Sequence, residues 1–64
     1  MNENEKQLFA AAVKWFLPGD AEGSDESDLH EALSLITEET GVNPTPQEVS
    51  DIRRILKDNH GITI

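Results

Sequence analysis

A chain of 64 residues with no cysteine and a formal charge of -8 makes one small domain at most, hiding only about 60% of the surface its unfolded form exposes. Neither a disulfide nor a thiolate metal site can reinforce it, so a tight helical bundle or self-association must supply the stability. The charge opposes nucleic acid and anionic headgroups and favours basic protein partners or cations.

From about residue 3 to 17, the apolar residues Leu8, Phe9, Ala12, Val13, Phe16 and Leu17 recur at helical spacing. Trp15 widens this apolar arc to roughly 200°, more than the ≳100° stripe that one-sided packing requires. The helix therefore lies centrally, covered by the rest of the chain, or it offers a homodimer or partner seam around Trp15. The run from Leu8 to Leu17 contains Lys14 and is too short to span a bilayer. The acidic opening Met1-Asn2-Glu3-Asn4-Glu5 is unlike a secretory signal, so a cytoplasmic location is expected.

Pro18-Gly19 ends the first helix. Residues 18–27 then read as a mobile acidic loop, since Asp20 to Ser27 holds no large apolar side chain. A second helix is expected over about 28–40, with Ser27 or Asp28 as N-cap and a core stripe of Leu29, Ala32, Leu33 and Ile36. Glu31 and Glu38 fall on its opposite face with Leu35 beside them. Gly41 stops it, and Val42-Asn43-Pro44 turns the chain. Thr45-Pro46-Gln47-Glu48 is a capping box with Pro at the first helical position, opening a third helix over about 46–59. Its buried stripe is Val49, Ile52, Ile55 and Leu56, with Asn59-His60-Gly61 closing it and Ile62-Thr63-Ile64 pinning the end of the chain to the core. The expected fold is a single all-α domain over residues 1–64, a three-helix bundle.

Oxygen-bearing residues fall at the ligand positions of an EF-hand loop: Asp20, Glu22, Ser24, Glu26, Asp28 and Glu31. However, Asp25 stands where that loop needs Gly, and Ser27 where it carries an apolar residue, so calcium is a minor alternative. Neither His30 nor His60 has metal-ligand spacing. No phosphate-binding glycine loop or nucleophilic triad is visible, and neither catalysis nor a cofactor is expected. A helix-turn-helix reading meets Glu48 and Asp51 where base edges would lie, with Arg53, Arg54 and Lys57 towards the far end, so nucleic acid is not the expected partner.

Asp28-Leu29-His30-Glu31-Ala32-Leu33, Ser50-Asp51-Ile52 and Gly61-Ile62 resemble the DNA-mimic antirestriction proteins of T7-type phages and related small phage proteins. The resemblance covers about residues 28–64 with a gap. It implies a phage-encoded inhibitor whose carboxylates imitate phosphates in the DNA groove of a host enzyme, carried here by Asp28, Glu31 and Asp51. Glu38 and Glu39 extend the same surface. The present chain is shorter, lacks the long acidic C-terminal part, and places Arg53, Arg54 and Lys57 directly after Asp51. Duplex DNA carries one charge per about 1.7 Å of axis, whereas the second helix carries about one per 5 Å. Mimicry would therefore need the loop acids in line, or a dimer.

Together these features point to a non-catalytic acidic protein that engages a basic surface on a partner through Asp28, Glu31, Leu35, Glu38 and Glu39, with Trp15 as a second apolar contact. A small structural or adaptor subunit of a larger phage assembly is the alternative.

Overall fold

Each helix of the computed structural model, which describes residues 1–17 and 24–64, opens on the same device. Four N-H groups at a helix start lack intrahelical partners, and a reciprocal side-chain box satisfies two of them. Asn2 and Glu5 form the box of α1 (Glu3–Phe16), Asp25 and Asp28 that of α2 (Glu26–Thr40), and Thr45 and Glu48 that of α3 (Pro46–His60). Among the described residues there is no other regular element. The fold is a small all-α three-helix bundle.

One boundary moves. Asp25, not Ser27 or Asp28, caps α2: its carboxylate accepts the Asp28 N-H at 3.0 Å, and Asp28 Oδ2 accepts the Asp25 N-H at 3.0 Å. Asp at the third helical position can reach back much as Glu does, so the helix starts at Glu26, two residues early. Glu26 and Ser27 thus belong to α2 rather than to a loop, and the expected mobile segment at residues 18–23 lies outside the described residues.

Two helices end on glycine in the left-handed region, Gly41 at φ 76° and Gly61 at φ 69°, where side-chain-bearing residues are strained. At Gly61 the reversal brings the Ile62 N-H to Leu56 O at 2.9 Å and folds the chain back. Ile62 is buried there, so the C-terminal tail is pinned to the core as expected.

The core is assembled around α1, which packs on both α2 and α3. Phe9, Ala10, Val13 and Leu17 meet Leu29, Ala32 and Ile36 from α2, and Ile52, Ile55 and Leu56 from α3. The α1 stripe differs from the one its spacing suggests: Ala10 is buried, while Leu8 is 72% and Phe16 43% exposed. An apolar arc this wide contains two overlapping stripes, and periodicity alone does not choose between them. Polar ties choose. Lys6 Nζ donates to Asp51 Oδ2 at 2.7 Å, and Asn59 Nδ2 donates to Gln7 Oε1 at 2.8 Å. Both fix the rotation of α1 against α3 and turn Leu8 and Trp15 outward. The radius of gyration, 10.5 Å, matches the value of about 11 Å expected for a compact chain of this length.

Candidate functional site: the acidic face of α2

Burial of Leu29, Ala32 and Ile36 leaves the opposite side of α2 to solvent. Residues three and four apart are surface neighbours on a helix, so Leu35 is ringed by Glu31 four residues before it and by Glu38 and Glu39 after it. All three carboxylates are exposed. Leu35 itself is 41% exposed, an apolar side chain inside an anionic rim. Asp28 extends the same flank one turn earlier, but it is half-buried and its carboxylate is engaged in the α2 cap.

The cations decide whether this face is neutralised. Lys6 pairs with Asp51 at 2.7 Å, and Arg54 lies 3.9 Å from the same carboxylate. Arg53 lies 3.6 Å from Glu26 in the first turn of α2 and donates to Ile64 O at 2.9 Å. Arg53 thus reaches the second helix only at its first turn. Lys14 and Lys57 form no ion pair among the described residues, and neither do Glu31, Glu38 and Glu39.

Asp51 does not join the acidic face. Sandwiched between Lys6 and Arg54, and accepting from Gln47 Nε2 at 3.4 Å, it belongs to the α1–α3 seam. The Lys6 hydrogen bond, outweighing partial burial, holds its carboxyl below the usual range, and the same bond raises Lys6. Glu48 is likewise lowered, first by the Met1 amino group that donates to it and then by the Thr45 N-H. Of the carboxylates carried over from the antirestriction resemblance, Asp28 is engaged in a cap and Asp51 in ion pairs, leaving Glu31 unpaired among the described residues.

Of the calcium set, Asp20 and Glu22 lie outside the described residues. Ser24 is half-buried, with an Oγ that has no hydrogen-bond partner among the described residues. Glu26, Asp28 and Glu31 are helical, where alternate residues project about 200° apart rather than converging as on an extended loop. Among the described residues no three His, Asp or Glu side chains gather in a metal-ligand cluster.

Beside the acidic face runs an open groove of about 410 Å³ between α2, the turn and α3. Leu33, Pro44 and Val49, all partly buried, form its floor, and the exposed His30, Glu38 and Asn43 its edges. Glu38 therefore serves both surfaces. Sequence spacing could not reveal this groove, because it is made from the flanks of two helices whose crossing is set by the core. Trp15, 87% exposed, belongs to a separate surface on α1.

No helix among the described residues is long and apolar enough to cross a membrane. Compared with known proteins, the chain matches no family model, no curated protein and no solved structure.

Proposed function

We propose that the protein is a non-catalytic binding protein whose α2 face docks on a basic surface of a partner protein. One observation carries this: Leu35 stands exposed among Glu31, Glu38 and Glu39, while the ion pairs formed by Lys6, Arg53 and Arg54 engage other carboxylates. The carboxylates steer the encounter and set orientation, and Leu35 anchors it once water is excluded. The groove next to Glu38 accepts an apolar side chain beside the partner's cation.

A phage-encoded inhibitor is the narrower form of the proposal. The three acids Glu31, Glu38 and Glu39, without an ion pair among the described residues, span about 12 Å of axis at 1.5 Å per residue, or one charge per about 4 Å. That is sparser than the one per 1.7 Å of a duplex. A patch of Lys and Arg on a protein suits such spacing better than a complete phosphate track does.

The test uses the double substitution Glu31→Lys with Glu38→Lys. Capture of a basic partner at low salt should be lost, with the helical circular dichroism signal unchanged, and binding by the unaltered chain should weaken steeply with salt. Retained capture by the double variant would remove the site. A low-salt mobility shift of duplex DNA would instead favour a nucleic-acid module.

A further inference from the structure

The outward stripe of α1 is not used by the proposed partner site. Leu8, Ala11 and Trp15 lie at spacings of three and four and share one exposed helix face, with Ala12, partly buried against the core, at its inner edge. Leu8 is 72% and Trp15 87% exposed, with Phe16 at the edge at 43%. The pattern reads large, small, small, large in both chain directions. We propose that this face is the contact between two copies of the chain, with the two α1 helices antiparallel about a two-fold axis passing between Ala11 and Ala12.

Register and charge both support a second copy. An antiparallel two-fold places Leu8 against Trp15 of the partner subunit and the alanines of both copies at the centre. Their small side chains allow the close helix approach of about 8 Å seen in packed pairs. The chain as a whole carries -8, so like copies repel unless they meet where charge is low. Within α1 the acids Glu3 and Glu5 are balanced by Lys6 and Lys14, giving zero, whereas α2 carries Glu26, Asp28, Glu31, Glu38 and Glu39 against no Lys or Arg. The apolar stripe therefore lies on a helix without net charge. Aromatic side chains offer about 150–250 Å² each, so at these exposures the stripe presents on the order of 400 Å² per copy. Two such stripes together offer about 800 Å², below the roughly 1,000 Å² of a stable specific contact. Such an area suits a weak, reversible dimer.

Salt separates this contact from the partner site. Screening the repulsion between two acidic copies tightens the dimer, whereas it loosens an acidic-to-basic complex. Sedimentation velocity of the full chain over roughly 10 μM to 1 mM should show a monomer–dimer equilibrium that shifts toward dimer in high salt. Trp15, the only tryptophan, should shift its emission to the blue in parallel. Trp15→Glu, at a position already exposed in the monomer, should abolish both changes while leaving helicity intact. Because the chain has no cysteine, orientation is tested directly. Ala11→Cys should cross-link to itself under oxidation, and Leu8→Cys should not, its copies lying about 10 Å apart along the axis and beyond disulfide reach. A monomer at every concentration, a dimer that survives Trp15→Glu, or self-cross-linking at Leu8→Cys but not Ala11→Cys would overturn the proposal.

Discussion

Lys6 Nζ stands 2.7 Å from Asp51 Oδ2, and this pair joins the first turns of α1 to the first half of α3. Both side chains are only 19% exposed, so the pair is better shielded from water than an ordinary surface salt bridge, and removing one partner strands the other.

Its pH signature follows from the two shifts. Asp51 is lowered from an ordinary value of 3.8, so its contribution is complete above that value and is lost as pH falls through the folded value. Lys6 is raised from 10.5, so its contribution is complete below that value and is lost only as pH rises through a still higher one. Between these limits the pair adds a plateau. Stability should therefore hold across that plateau and fall as pH drops below about 4, where Asp51 in the unfolded chain takes up its proton. Asp51→Asn should lower the urea midpoint at pH 7 and flatten the acid fall, leaving the residual slope due to Glu48. Equal acid slopes in the two proteins would show that Asp51 is not linked in this way.

Truncation at two apolar positions should separate the buried face of α1 and α3 from the exposed one. Ile52 has no exposed surface, and Ile→Ala at such a site costs about 2–5 kcal/mol. A domain of this size holds only about 3–10 kcal/mol in total, so Ile52→Ala should remove a large part of it and lower the melting temperature markedly. Leu8→Ala, at a position 72% exposed, should leave the monomer's urea midpoint nearly unchanged. Circular dichroism melts at low micromolar protein, below the proposed dimer's range, measure both.

A third pair tests where α2 begins. Asp25→Ala removes the side chain that accepts the Asp28 N-H and should cost about 1 kcal/mol. Ser27→Ala, at an exposed position inside the first turn, should be close to neutral. The reverse order of effects in urea melts would restore Ser27 as the cap.

Local chemistry alone determined much of this protein. Thr45 to Glu48 announces α3, Gly41 and Gly61 announce the stops, and the spacing of Leu29, Ala32 and Ile36 leaves Glu31, Leu35 and Glu38 on the outer face of α2. Each depends on residues within one or two turns, where hydrogen-bond geometry and helical periodicity leave few options. The Asp25–Asp28 and Asn2–Glu5 boxes were equally local and legible, but Asp and Asn are so frequent in loops that their signal is faint. What only the tertiary structure decided is pairing across the fold. Lys6 takes Asp51 out of the acidic surface, Arg53 closes on Glu26 and Ile64, and the rotation of α1 buries Ala10 while exposing Leu8. These depend on which helix flanks meet, a matter of three-dimensional packing in which residues 45 positions apart become neighbours.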